Sequence, residues 1–332
     1  MNIEKKTFRY IILLPFLVVG LLIAIAGFNY FRDPLCYFHC ETVDLNKQTH
    51  NVYYQAAQTL AANPDAEVLI LGSSRGERVA PKWVEKLTTK KTVNLSQGGA
   101  DLILKVALSN QALESHKNLK LVIWMADYFE LLPHTTDTKV HLTPVLYNQV
   151  SSTVRLDGFQ KALRTIKVLV DHNTLEAAVS LNKAEKFRQT GNGSEIDPEI
   201  CVNPILDTDK KLQTSYPSVH EFLKMDQNED YFKILEEQIR KFESRGIKVI
   251  INVSPYHPQF EERLFAESPA SKLKIQAWID RLSGLKSDMV TVLDFSGGIP
   301  GDDGGLKYWE DGIHPTCYSE VLMLDSALKS FQ

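Results

Sequence analysis

Five short apolar runs rich in β-branched residues, at 67–71, 92–95, 121–125, 249–253 and 290–295, constrain this chain more than any other feature. Continuous apolar stretches of that length, rather than alternating ones, read as strands buried on both faces. Stretches with helical patterning separate or follow them, at 81–87, 102–115, 231–244, 273–282 and 319–328. Strand and helix in alternation imply an α/β fold with a five-stranded parallel sheet covered on both sides. Such sheets carry their sites at the carboxyl ends of the strands, beside the point where strand order reverses. Here those ends lead into Ser74, Ser96 to Gly99, Asp127, Ser254 and His314. All the candidate groups therefore belong on one rim.

Two of these segments carry chemistry. Gly72-Ser73-Ser74 leaves the first run, and Gly72 permits a sharp departure from the strand. A Ser pair in this place is also an ordinary helix N-cap. Asp311-Gly312-Ile313-His314-Pro315 follows the last run and sets a carboxylate three residues before an imidazole in a tight turn. Alone, that pair is often no more than a cap. Together, a Ser at a strand's carboxyl end and a carboxylate–His pair are the parts of an acyl-transfer triad. Asn94-Leu95-Ser96-Gln97-Gly98-Gly99 forms a Gly-rich turn after the second run, and Trp124-Met125-Ala126-Asp127-Tyr128-Phe129 closes the third. His257, in Ser254-Pro255-Tyr256-His257-Pro258, is a rival imidazole on the same rim without a carboxylate at fixed close spacing. It reads as a binding or structural group. His50, His134 and His141 default to the surface, and Asp303 and Glu310 to solvated loop charges.

In this order the segments resemble the sequence blocks of the SGNH (GDSL-type) hydrolase and acyltransferase superfamily, over residues 66–127 and 246–330. The resemblance implies a flavodoxin-like three-layer sandwich. It implies Ser74 as nucleophile, His314 as base and Asp311 as the carboxylate that holds the imidazole. The amides of Ser74 and Gly99 would form the oxyanion hole, which matters because donors fixed before charge develops stabilise it most. Ser73 replaces the family's Asp in the first block, and Ser96 replaces the first Gly of the second. The Asn of the third block is absent, and Asp127 holds the block's final position. An ionised carboxylate cannot donate to an oxyanion, so Asp127 reads as structural or substrate-orienting. Ser73, Asp127 and His257 are the weaker substrate-binding candidates. These departures are similar to those of membrane-anchored O-acyltransferases, such as the D-alanyl transfer and alginate-type O-acetyltransferase proteins.

The N-terminus sets the compartment. No charge falls between Tyr10 and Phe28, and the run just reaches across a hydrocarbon core of ~30 Å at ~1.5 Å per residue. Lys5, Lys6 and Arg9 precede it, which places the first residues in the cytoplasm and the remainder outside. A cleaved signal peptide is the competing reading, with Ala24-Ile25-Ala26 as an imperfect cleavage signal. The organisation expected is an anchor over 1–30, a stalk over 31–64 with a short helix near 53–62, and a catalytic-type domain over 65–332. Residues 134–225 interrupt that domain with helical patterns at 156–170 and 174–188 and a Gly191-Asn192-Gly193-Ser194 turn. They form either a lid or a packed decoration.

Composition excludes some classes. A formal net charge of −4 over 332 residues leaves no basic footprint for nucleic acid. Four cysteines (Cys36, Cys40, Cys201, Cys317) form no repeated CxxC pair, so no zinc site is expected. Cys36 and Cys40 are near enough to bridge after export, or the four are mostly unpaired thiols. The function expected is an extracytoplasmic O-acyltransferase, transferring acetyl to a cell-surface polysaccharide through an acyl-enzyme, with no metal or cofactor. No acetyl-CoA site is visible and the outer compartment lacks that donor, so a multi-span membrane acyltransferase is the implied partner. An esterase or deacetylase with the same triad is the first alternative. A catalytically inactive scaffold that binds glycan or a membrane partner is the second.

Overall fold

The computed structural model describes residues 2–33, 52–132, 158–171, 221–302 and 308–329, with positions 38, 146, 150, 174, 175, 178, 179, 219 and 331 besides. The chain forms two compact units. One joins Met1–Gln55 to Lys139–Phe187, and the other joins Ala56–Thr138 to Arg188–Gln332.

The second unit holds the sheet. Its strands are β1 (Val68–Leu71), β2 (Thr92–Asn94), β3 (Leu121–Ala126), β4 (Lys248–Val253) and β5 (Val290–Asp294). All pairings are parallel, in the order β2-β1-β3-β4-β5. The direction of winding reverses between β1 and β3, which opens a crevice at their carboxyl ends. Register aligns those ends: Ile70 pairs with Asn94, Leu71 with Trp124, Ala126 with Val253 and Val253 with Asp294.

Every residue of β1, β2 and β3 is buried, which explains why their sequences run apolar without alternation. Side chains still alternate in direction. Val68, Ile70, Leu121, Ile123, Met125 and Ile250 share one core with Val84 of α3 (Pro81–Thr88) and Leu324 and Leu328 of α9 (Cys317–Lys329). On the opposite face, α4 (Leu102–Ser115) packs against β1 and α6 (Glu229–Ser244) packs against β4 and α4. α6 is a one-sided helix, burying Tyr231, Phe232, Leu235, Ile239 and Phe242. Asn228 caps its first turn by accepting the Asp230 N–H at 2.9 Å. α4 is buried from Leu102 to Leu113 on all sides, and Asp101 caps it through the Leu104 N–H at 2.8 Å.

α7 (Pro258–Glu267) and α8 (Pro269–Ser283) complete this unit, each with Pro in its first turn. α7 lies in a stretch where the sequence pattern marks no element. It buries just Phe260 and Leu264, too few positions to display a helical period. A helix also precedes β1, α2 (Val52–Ala62).

In the first unit, α1 (Asn2–Arg32) is a single helix whose segment Leu13–Arg32 has a mean hydropathy of 2.1 and is 6% buried. It is long and apolar enough to cross a membrane. α5 (Gly158–Val170) packs beside it.

Cys317 at the start of α9 is disulfide-bonded, which corrects the reading of four mostly unpaired thiols. Its partner and the Cys36–Cys40 pairing lie outside the described residues, as do Asp303, His50, His134, His141 and the 191–194 turn.

One charged pair sits at the centre of this apolar framework. Lys105, wholly buried in α4, donates to the Glu130 carboxylate and to the Met125 carbonyl at 2.7 Å, and lies 3.7 Å from Asp127. Removing one partner of a buried pair strands the other, at a cost of about 3–5 kcal/mol. Lys105→Met should therefore lower stability by that order in chemical denaturation, and adding Glu130→Leu should recover most of the loss. A Lys105→Met protein as stable as its parent would contradict this account.

Candidate active site

The first turn of the rim is shaped by lack of space. A Cβ on Gly72 would meet the Gly76 Cα at 2.7 Å and the Met125 Cβ at 2.9 Å, so only Gly fits where the chain leaves β1. Gly76 in turn lies against the Ser96 side chain. Asn94 stitches this turn to the next strand's loop. Its side-chain amide donates to the carbonyls of Gly76 at 2.8 Å and Val79 at 2.9 Å, and its Oδ1 accepts the Ser96 N–H at 2.9 Å. The Gln97 N–H donates to the Gly72 carbonyl at 3.1 Å, which draws the 96–99 loop alongside. Gly99 has φ +70, a left-handed conformation suited to Gly, and is exposed. Among the described residues, neither the Ser74 nor the Gly99 N–H donates a hydrogen bond. The Gly98 N–H is taken by Glu77 at 2.6 Å.

The second turn, 311–315, is held from several sides. The Gly312 carbonyl accepts the His257 N–H at 3.0 Å, the Ile313 carbonyl accepts Arg75 Nε–H at 2.8 Å, and the His314 carbonyl accepts the Glu310 N–H at 2.9 Å. A Cβ on Gly312 would overlap the Phe260 ring, with its Cδ2 at 2.5 Å. Glu310 is not a free solvated charge, since it pairs with Arg78 at 2.8 Å.

These turns bring three of the expected residues together. Ser74 Oγ lies 2.8 Å from His314 Nε2, and His314 Nδ1 lies 2.8 Å from Asp311 Oδ2. Asp311 Oδ1 accepts the N–H groups of Ile313 at 2.8 Å and His314 at 2.9 Å. Burial works to raise the Asp311 pKa, yet the hydrogen bond and charge of His314 and the two backbone donors outweigh it and hold the carboxyl below its ordinary value. An ionised Asp311 can only accept, so His314 Nδ1 carries the proton and Nε2 is left to accept from the Ser74 hydroxyl. The arrangement fixes the tautomer that general-base chemistry requires. Ser74 is partly exposed, and the side chains of His314 and Asp311 are 17% and 20% exposed, open enough to meet a substrate.

Ser73, Asp127 and His257 lie beneath this surface. Ser73 Oγ is fully buried and donates to Asp127 Oδ2 at 2.6 Å, so it is Ser74 and not Ser73 that faces the imidazole. Asp127 is 1% exposed, with the Arg75 guanidinium 3.5 Å from its other oxygen. His257 is buried, caps α7 by accepting the Gln259 N–H at 3.2 Å, and meets Trp309 edge-on at 5.3 Å.

Arg75, Lys105 and Glu320 were not singled out by the sequence reading. Arg75 follows Ser74 directly and also donates to the Ser254 carbonyl at 3.1 Å, with its guanidinium 4.8 Å from the Tyr256 ring centre. Lys105 had a visible signal, as a lone charge in an apolar stretch. Glu320 had none, because its partner Ser254 is 66 residues away. It is fully buried and accepts the Ser254 hydroxyl at 3.2 Å. Burial, reinforced by Asp127 and opposed by Arg75, pushes its pKa up to about 8.

No protein-family model matches the chain. No curated protein matches it either. Among solved structures, one described as a candidate platelet activating factor from Streptococcus pneumonia aligns over 96% of this chain and 98% of its own, at 11% identity and a TM-score of 0.34. At that distance the likeness informs neither fold nor function.

The buried Glu320 makes stability depend on pH. Its pKa rises from an ordinary 4.5 to about 8 on folding, so the native state binds the proton more tightly. That contribution is complete below 4.5 and is lost as pH climbs through 8. Thermal melts from acid to mildly alkaline pH should show the parent losing stability relative to Glu320→Gln. Parallel curves for the two proteins would rule the effect out.

Proposed function

We propose that this chain is a serine acyltransferase of the membrane-anchored, SGNH-like kind, acting outside the cytoplasm on the hydroxyl groups of a cell-surface glycan. The observation that carries the reading is the Ser74–His314–Asp311 relay, with both contacts at 2.8 Å and the tautomer fixed. The order of strands and the gathering of the block residues on one rim support the superfamily assignment. The apolar segment Leu13–Arg32 supports an anchor. The basic residues ahead of that segment and the disulfide at Cys317 support export, since disulfides persist in oxidising compartments.

His314 Nε2 takes the Ser74 proton as Oγ attacks the acyl carbon, and the Nδ1–H bond to Asp311 stabilises the imidazolium. The oxyanion forms against the unused N–H groups of Ser74 and Gly99. Collapse returns the proton to the leaving group and leaves the acyl group on Ser74. A sugar hydroxyl then loses its proton to His314, attacks the ester and regenerates Ser74. A multi-span membrane acyltransferase would supply the acyl group.

The test compares Ser74→Ala, His314→Ala and Asp311→Asn for acyl content of surface glycan and for turnover of a model ester. Each change should cut turnover by about 10⁴-fold while melting stays near that of the parent. Combining Ser74→Ala with His314→Ala should cost little more than the worse single change, because the members act as a unit. Full activity in a folded Ser74→Ala protein would overturn the enzymatic reading. Release of free acid only, with no acylated acceptor, would replace transfer by hydrolysis.

A further inference from the structure

The apolar surface of the first unit does not end with α1. α5 exposes Phe159 (72%), Leu163 (50%), Ile166 (57%) and Val170 (38%), while Val168 is 2% exposed. Steps of four, three and four residues put the exposed group on a single stripe. A stripe of four large apolar side chains left to water on one short helix is unusual in a soluble surface. The position of α5 relative to the span explains it. The Asn29 amide, 1% exposed, donates at 2.8 Å to the carbonyl of Leu169, in the last turn of α5 where carbonyls lack helical partners. Arg32 Nε donates at 3.3 Å to the Ala178 carbonyl. Asn29 and Arg32 are the closing turn of the apolar segment Leu13–Arg32, the depth at which hydrocarbon gives way to headgroups. The last turn of α5 is therefore tied to the closing turn of the apolar segment. With 13 residues α5 reaches about 20 Å at 1.5 Å per residue, too short to cross. Lys167, exposed, supplies a cation in the last turn of α5.

We infer that α5 is an interfacial helix, with the Phe159–Leu163–Ile166–Val170 stripe immersed at the headgroup–acyl boundary of the bilayer that α1 spans and Lys167 directed to lipid phosphates. Bilayer lipid, rather than another protein, is the occupant because α5 packs against the helix that would cross the bilayer and is hydrogen-bonded to that helix's end. The attachment then has two parts, a span and a surface helix, of the kind that binds through buried apolar area and anionic headgroups. The inference rests on the anchor reading of α1.

The test uses the full-length chain in vesicles of phosphatidylethanolamine and phosphatidylglycerol carrying lipids brominated at defined depths. Tryptophan is introduced as Leu163→Trp or Ile166→Trp on α5, and as Ile23→Trp at the middle of the apolar segment of α1. Against the parent's emission, the α5 probes should be quenched most by bromines about 5–10 Å below the headgroups, and Ile23→Trp by bromines near the bilayer centre. Quenching of Ile23→Trp without either α5 probe would overturn the interfacial helix and leave the anchor standing. Absence of quenching at all three would remove the anchor as well. A benzophenone amino acid at position 163 should cross-link to lipid in cell membranes, whereas a protein adduct there, from a second copy or a partner, would overturn the assignment.

Discussion

The Arg75 guanidinium reaches three of the loops that form the rim, and the geometry of the site depends on it. It donates to the Ile313 carbonyl in the base-bearing turn and to the Ser254 carbonyl after β4, and it lies 3.5 Å from Asp127 after β3. It belongs to the same turn as Ser74. The contact between Ser74 and His314 joins residues 240 apart in sequence, so no local structure can set its length. A rigid fork with fixed donor directions can. Arg75 thus acts as a positioning residue, holding the imidazole-bearing turn against the serine-bearing one.

The same cation sits in a balance of buried charge. Arg75 and Lys105 face Asp127, Glu130 and Glu320, all five at most 7% exposed. Glu130 stays paired with Lys105, while burial with only partial compensation raises Glu320 to about 8, so the excess of one carboxyl over the two cations is relieved by protonation there. Such networks give little net stability against an apolar core of equal volume, but a half-satisfied one is costly. What this network supplies is a defined arrangement beneath the rim: Ser73 is held on Asp127, which leaves Ser74 as the hydroxyl presented to His314.

Much of this was legible in the sequence because it follows from local pattern. The apolar runs at 92–95 and 121–125 became Thr92–Asn94 and Leu121–Ala126, and the helix at 102–115 formed with those bounds. The Asp-x-x-His turn and the Gly-Ser-Ser step are short-range signals, and the structure brings them to hydrogen-bonding distance. The parts that escaped are long-range or too short for periodicity. α7 has two buried positions, and Glu320 depends on a partner 66 residues away. The association of α5 with α1 joins residues 140 apart, and nothing in either segment announces it. Gly72 was expected to serve a sharp turn, whereas the structure gives it a different reason, the close approach of Gly76 and Met125.

The central claim is that Ser74 is an activated nucleophile, and its reactivity can be read without knowing the acceptor. Purified full-length chain treated with a fluorophosphonate and mapped by peptide mass spectrometry should carry one phosphonyl group on Ser74, and His314→Ala should abolish it. An adduct on Ser73 instead, or a folded protein that takes up no phosphonate, would contradict the account.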